Sequence, residues 1–434
     1  MPLITRFLLP CLLAPLLASA PTSAAPAPDS YAFPLGNPFI ATITGTPPAL
    51  QPEGLPADRN IDQDDYALTL RPEREFDLPD NFWSVRKLKY RIARQHQPAP
   101  LVFIIAGTGS NYASGSMESL KKIFYKAGYH VVQLSSPTSY DFMAAASRHA
   151  TPGFSREDAR DLYAVMQAVR AQNAELPVTG YYLTGYSLGG LNAAFVSALD
   201  EQEKAFDFKR VLLLNPPVNL YTSVSNLDRL VHTEVKGVTD SQTFYDLIFA
   251  KLARYFQDKG HIQLNEAMLY DFQQSPQGLS NEELAMLIGS AFRFAAADIV
   301  FTSDLVNRRG GIVPADAKIT EGTSLTPYFR QALLCNFNCY IRTQLLPFWR
   351  EHFDGTDLPA LIRDTSLHGL EDYLKSATKV GVMTNADDLI LGPGDLGFLR
   401  ATFGDRLTVF PRGGHLGNLT YRENVAAMLE FLHD

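Results

Sequence analysis

Largely apolar runs that recur along the chain constrain its fold more than any other feature. They occupy residues 101–106, 130–134, 180–184, 211–214, 379–383 and 407–410. Such runs are typical of strands buried on both faces of a parallel sheet. Helical patterns separate them at 116–127, 156–171, 188–199 and 423–432. Strands that alternate with helices predict right-handed crossovers and an α/β fold with helices on both faces of the sheet.

The segments before the first buried run have a different character. Alternating patterns at 66–70 and 84–90 suit half-exposed antiparallel edge strands. Residues 25–65 are rich in Pro, Gly, Ala and Thr and have little periodicity. They predict an extended or partly mobile leader on the surface, from which we expect no chemistry.

The alternation of strands and helices stops between Pro216 and Ser376. Within these residues helical patterns occur at 243–256, 281–297 and 326–353, with no convincing buried strand. Sheet-type strands resume afterwards, which disfavours a separate downstream domain. We therefore expect a core of residues 66–216 and 376–434, with residues 217–375 inserted as a helical cap over the C-terminal ends of the strands.

Composition sets the broad class of protein. The chain has 434 residues, 46% of them hydrophobic and 19% charged, which is typical of a globular protein. The net charge of -8 is spread along the chain, and the sequence has no long basic run. This disfavours nucleic-acid binding. No cofactor and no metal are expected.

The first 24 residues have the features of a secretory signal peptide. Arg6 supplies a positive charge, residues 7–20 are apolar, and 18–20 or 22–24 offer small-residue cleavage sites. An uncleaved anchor is disfavoured because about 14 apolar residues fall short of the roughly 20 that span a bilayer. No other stretch looks apolar and long enough to span. We therefore expect export to the periplasm or the medium.

Two cysteines, Cys335 and Cys339, follow the predicted signal peptide. On a helix this spacing places the Cα atoms about 6 Å apart, which a disulfide accepts. An exported protein meets an oxidising compartment. A disulfide is the favoured prediction, and a pair of buried thiols is the alternative.

A Gly-x-Ser-x-Gly motif at Gly185–Gly189 joins the apolar run at 180–184 to the helical pattern at 188–199. A serine on so sharp a turn from strand to helix presents its hydroxyl at the C-terminal end of the strand. The flanking glycines remove the Cβ atoms that would collide where strand and helix cross. Ser187 is therefore the candidate nucleophile.

With this motif, the chain resembles the α/β-hydrolase superfamily over residues 66–215 and 376–434. The resemblance places an acid after the penultimate strand and a histidine after the last one, in the chain order Ser, Asp, His. Asp387 and Asp388 compete for the position of the acid. The superfamily's pattern of Asp, any residue and an aliphatic residue favours Asp388, with Asp387 as the alternative. His415, in a glycine-rich loop after the last strand, is the predicted base.

An oxyanion needs two backbone N–H donors in a water-poor site. The elbow supplies one from Leu188, and the resemblance places the second in the loop after the first buried strand. We assign it to Thr108, with Gly109 as the alternative. Aromatic residues of the cap could line an acyl pocket or form the core of the cap: Phe292, Phe294, Phe301, Tyr328, Phe329, Phe348 and Trp349.

The resemblance implies a serine hydrolase, most often an esterase, acting on a small-molecule or lipid-like ester. Peptidase, thioesterase and acyltransferase activities use the same groups. A binding protein that keeps the fold without turnover is the alternative of a different class. The sequence does not specify acyl length, leaving group or oligomeric state.

Overall fold

A computed structural model describes residues 31–74, 78–259 and 266–433. The predicted signal peptide therefore lies outside the described residues. The described chain forms one sheet of eight strands: β1 (Gln63–Leu68), β2 (Leu88–Ala93), β3 (Ala99–Ile105), β4 (His130–Leu134), β5 (Val178–Tyr186), β6 (Arg210–Leu214), β7 (Val380–Asn385) and β8 (Leu407–Phe410).

The strands lie in the order β1-β2-β4-β3-β5-β6-β7-β8. β2 is antiparallel to both of its neighbours, and β3 to β8 pair in parallel. Phe103 at the centre of β3 lies between Val132 of β4 and Leu183 of β5. A mostly parallel sheet in this order, with helices on its two faces, is the α/β-hydrolase fold that the sequence predicted.

The described part of the chain contains sixteen α-helices. They are α1 (Pro38–Thr44), α2 (Gly115–Lys126), α3 (Tyr140–Ala145), α4 (Ser155–Gln172), α5 (Leu188–Glu203), α6 (Leu220–Leu230), α7 (Ser241–Lys259), α8 (Glu266–Gln273), α9 (Asn281–Val306), α10 (Thr326–Ala332), α11 (Phe337–Tyr340), α12 (Leu346–Phe353), α13 (Leu358–Asp364), α14 (Glu371–Ser376), α15 (Asp395–Phe403) and α16 (Arg422–His433).

The period-2 alternation of side chains divides the core between the two faces of the sheet. Leu101, Phe103 and Ile105 of β3 pack with residues of α4 and α5 on one face. Val102 and Ile104 pack with residues of α2 and α16 on the other. Both sets are buried, which explains why β3 is apolar at consecutive positions rather than at every second one.

The insertion between β6 and β7 is helical, and its described residues contain no strand. Residues of α9, α11 and α12 form an apolar cluster that also includes Met143 of α3 and Phe154, which precedes α4. The helical pattern predicted over 326–353 is broken after α10, because the Asn336 side chain accepts a hydrogen bond from the Cys339 amide (2.9 Å) and begins a new helix. Cys335 and Cys339 lie across this break, with Cα atoms 5.2 Å apart and the two sulfur atoms within bonding distance.

α9 contains the helix predicted at 281–297, but it is longer and more apolar than the sequence suggested. By length and composition this 26-residue helix could cross a membrane, although 56% of its most apolar window is buried inside the protein. A core helix of a folded protein passes the same test. The expected absence of a spanning segment after the signal peptide therefore stays a prediction.

The leader is extended only in part. The Asn37 side chain accepts hydrogen bonds from the Phe39 and Ile40 amides, and Pro38 occupies the first turn, so that α1 forms over residues predicted to be extended. Tyr31, Phe33 and Ala41 of this segment are buried. α1 was not predicted because it is short and its sequence lacks apolar periodicity.

Candidate active site

The motif at Gly185–Gly189 forms the tight turn between β5 and α5. Ser187 has φ 54° and ψ -127°, a conformation that is costly for a residue with a side chain. A Cβ atom on Gly185 would lie 2.2 Å from the carbonyl oxygen of Gly189, and one on Gly189 would lie 2.2 Å from that of Ile105. Both glycines are therefore needed to let the strand and the helix cross.

The loop after β8 brings His415 to the serine. His415 Nε2 lies 2.9 Å from Ser187 Oγ. His415 Nδ1 lies 3.0 Å and 3.2 Å from the two carboxylate oxygens of Asp388. With the proton on Nδ1, this nitrogen donates to Asp388, and Nε2 is free to accept the serine proton.

Asp388 is buried and is held by two further donors. Asn215 Nδ2 donates to Oδ2 (2.7 Å), and the Ile390 amide donates to Oδ1 (3.1 Å). Asn215 directly follows β6, and no role was predicted for it from the sequence. It positions Asp388.

Asp387, the alternative acid, faces a different group. Its Oδ1 accepts a hydrogen bond from the Gly414 amide (2.9 Å), next to His415 in the chain. Its Oδ2 is buried without a hydrogen-bond partner among the described residues. Burial raises the pKa of this carboxyl above its usual value. Asp387 therefore supports the histidine loop rather than the imidazole.

The loop after β3 passes beside the serine. A Cβ atom on Gly107 would meet the Tyr186 ring at 2.8 Å and Ser187 Cβ at 3.2 Å. The Gly109 amide donates to Thr138 Oγ1 (2.9 Å), so this alternative donor is already engaged. Leu188 is the first residue of α5, where amide groups lack a partner within the helix. Thr108 and Leu188 line the same pocket.

This pocket extends from the two proposed oxyanion donors into the cap. Most of the lining side chains are apolar: Leu188, Leu220, Val224, Ile299, Phe337, Ile341, Leu345, Leu358, Leu361 and Ile362. None of the described residues that line it is charged. A π-helical turn, Ile341–Leu345, supplies two of the lining residues. Turns of this kind are frequent at functional sites.

The aromatic residues singled out in the sequence do not line this pocket. Phe301, Phe348 and Trp349 are buried in the core of the cap, whereas Phe294 is exposed. The pocket instead receives Phe337 and Tyr340 from α11. Composition could not distinguish the aromatic residues that line the pocket from those in the core of the cap. Which of them reach the pocket depends on the break after α10.

The fold and this arrangement of serine, histidine and aspartate define the class: an α/β-hydrolase fold with the hydrogen-bonded chain that a Ser-His-Asp triad requires. No family model matches the sequence. A search of the curated proteins likewise gave no match.

Several solved structures are similar to this chain at low sequence identity. An esterase from Pyrococcus furiosus is 13% identical, with a TM-score of 0.40, over 89% of this chain and 96% of its own. A proline iminopeptidase from Mycobacterium smegmatis is 14% identical, with a TM-score of 0.39, over 80% and 94%. A bacterial membrane phospholipase A is 14% identical, with a TM-score of 0.42, over 86% of each chain. These likenesses are too weak to transfer an activity to this chain.

Proposed function

We propose that the protein is a serine hydrolase that cleaves carboxylic esters with an apolar acyl group. One observation carries this proposal: the chain of hydrogen bonds from Asp388 through His415 to Ser187 ends beside the uncharged, largely apolar pocket. A nucleophile with its base and a pocket for the acyl group are the parts that acyl transfer requires.

In the mechanism that follows, Ser187 Oγ attacks the ester carbonyl while His415 Nε2 takes its proton. Asp388 orients the imidazole and stabilises the imidazolium that forms. The N–H groups of Leu188 and Thr108 bind the oxyanion of the tetrahedral intermediate. His415 then protonates the departing alcohol. Water, activated by the same imidazole, attacks the acyl-enzyme and releases the acid and Ser187.

The polar groups of the pocket favour an apolar acyl chain over a peptide. Four of the five polar side chains in the lining already bond within the protein: Thr138 with Ser136, Tyr221 with Asn338, Tyr340 with the Pro152 carbonyl and Thr365 with the Leu361 carbonyl. A peptide chain or an ammonium group would lose its hydration there and gain few partners in return. An acyl chain has no such hydration to lose, and its burial in the pocket is favourable.

Acyl length should therefore govern the rate. Each methylene group that enters the pocket contributes about 0.8 kcal/mol. We expect kcat/KM for p-nitrophenyl esters to rise several-fold per added methylene from acetate until the pocket is full. Aminoacyl amides should be poor substrates. A decline in kcat/KM from acetate onward would contradict the assignment of the pocket.

A bulky substitution in the lining tests the same assignment. Val224 lines the pocket, and Val224→Phe should lower kcat/KM for the octanoate ester at least tenfold relative to acetate. Val306 packs in the cap but is not among the lining residues, so Val306→Phe is the matched control and should leave this ratio unchanged. Equal losses for both esters in Val224→Phe would show that the chain does not bind there.

Export is part of the proposal and rests on the N-terminal sequence and on the Cys335–Cys339 pair. N-terminal sequencing of the protein from its native cell should give a mature chain that begins near Ala25, in the periplasmic or extracellular fraction. A cytosolic protein that still begins at Met1 would contradict it.

A further inference from the structure

We propose that the N-terminal segment, residues 31–46, holds His415 in its working position and that Thr42 is a positioning residue for catalysis. This inference rests on the proposed role of His415 as base. It also reverses the expectation that the leader takes no part in the chemistry.

The histidine loop needs support from outside because its backbone is strained. Gly414 has φ 57° and Leu416 has φ 67°, on either side of His415. A leucine in this left-handed region persists only where its surroundings determine the conformation. The surroundings here are α1. A Cβ atom on Gly414 would lie 2.3 Å from the Pro38 carbonyl oxygen, and one on Gly417 would lie 2.3 Å from that of Ala41.

Hydrogen bonds join the segment to the loop on both sides of the histidine. Before it, Arg412 Nε donates to the Phe33 carbonyl (2.6 Å). After it, Thr46 Oγ1 donates to the Gly417 carbonyl (2.9 Å). At the histidine itself, the backbone amide of His415 donates to Thr42 Oγ1 (2.9 Å).

The Thr42 hydroxyl is fixed in the direction that this contact requires. It donates its own proton to the Pro38 carbonyl (2.6 Å), one turn earlier in α1, so that its lone pairs face the His415 amide. Serine in its place would keep both bonds. Valine, with nearly the same shape, would remove both.

The cap holds the other side of α1, so that the helix is fixed between two parts of the protein. Phe39, Ile40 and Ile43 pack against an apolar cluster of residues from α7, α8 and α9. Asn37 also donates to the side chain of Asn281, the first residue of α9 (2.6 Å). Because α1 is held on both sides, it can keep the histidine loop in a defined position.

The test compares Thr42→Val with Thr42→Ser and with Thr44→Val. Thr44 is a matched control, because its hydroxyl makes the same kind of bond, to the Ile40 carbonyl (2.9 Å), and the hydrogen bonds described to the histidine loop come from Thr42 and Thr46 instead. A misplacement of about 1 Å at a reacting group can cost about 10²-fold in rate. We expect kcat of Thr42→Val to fall about 10- to 100-fold with KM almost unchanged. Thr42→Ser should recover most of the loss, and Thr44→Val should match the wild type.

A second readout does not depend on turnover. In the proton NMR spectrum, the His415 Nδ1 proton bonded to Asp388 should give a far-downfield signal, assigned by its loss in His415→Ala. The signal should be present in the wild type, Thr42→Ser and Thr44→Val, and shifted or lost in Thr42→Val. Circular dichroism at the assay temperature shows that each variant is folded. Should Thr42→Val not fold, Thr46→Val takes its place, with the same expected changes.

The inference is overturned if Thr42→Val keeps both the wild-type kcat and the downfield signal, or if Thr44→Val loses as much. It is also overturned if Thr42→Ser gives no recovery. An inactive wild type that still shows the downfield signal, lost in Thr42→Val, would refute the proposed function and leave the positioning role supported.

Discussion

Replacing Ser187 with alanine should lower turnover of the preferred ester by a factor on the order of 10⁴ to 10⁶. The loss is this large because the reaction would have to proceed without the acyl-enzyme, with only the oxyanion donors and substrate binding remaining. His415→Ala should cost about as much, because the serine hydroxyl is a weak nucleophile without its base. Steady-state kinetics with p-nitrophenyl esters measure both changes.

The double variant distinguishes a triad, whose members act together, from three groups that contribute independently. Because the groups act as a unit, Ser187→Ala combined with His415→Ala should be no slower than either single variant. Substrate binding should survive, since both substitutions leave the apolar pocket intact. If either single variant keeps more than a few per cent of the wild-type turnover, the assignment of its residue is wrong.

Asp388→Asn should lower kcat by about 10⁴-fold, the size of effect that the wrong imidazole tautomer produces in a serine protease triad. Both oxygens of Asp388 accept from N–H groups: Asn215 at Oδ2, Ile390 at Oδ1 and His415 at both. An amide nitrogen at either position would face another donor, and where it replaces Oδ1, His415 could no longer donate from Nδ1. Kinetics at several pH values measure the change.

Asp387→Asn is the matched control, since it makes the same chemical change one residue earlier. Its effect should be much milder, because an asparagine oxygen can still accept the Gly414 amide. The substitution also removes a buried carboxyl whose pKa is raised by burial. A loss in Asp387→Asn that equals the loss in Asp388→Asn would contradict the choice of acid.

The features that could be predicted from the sequence are those encoded over a few neighbouring residues. The buried run at 101–106 marks β3 because a strand covered on both faces is apolar at consecutive positions. The elbow is equally local, since the turn at Ser187 depends on Gly185 and Gly189. The prediction that Ser187, Asp388 and His415 act together comes from the resemblance, which uses such local motifs.

The features that were missed depend on contacts between distant parts of the chain. Asn215 supports the acid across neighbouring strands, and Thr42 supports the histidine over a separation of 373 residues. Nothing near either residue in sequence marks this role. The lining of the pocket depends on how the helices of the cap are broken and turned, which a helical pattern over 326–353 does not specify.

Covalent labelling with a fluorophosphonate tests the nucleophile most directly, because the reagent reacts with a serine that a neighbouring base activates. The folded wild-type protein should gain one adduct, which peptide mass mapping should place on Ser187. Ser187→Ala should gain none, and Asp387→Asn should label at close to the wild-type rate. An absence of labelling in the folded wild type, or equal labelling of Ser187→Ala, would contradict the account and favour a binding protein on the hydrolase fold.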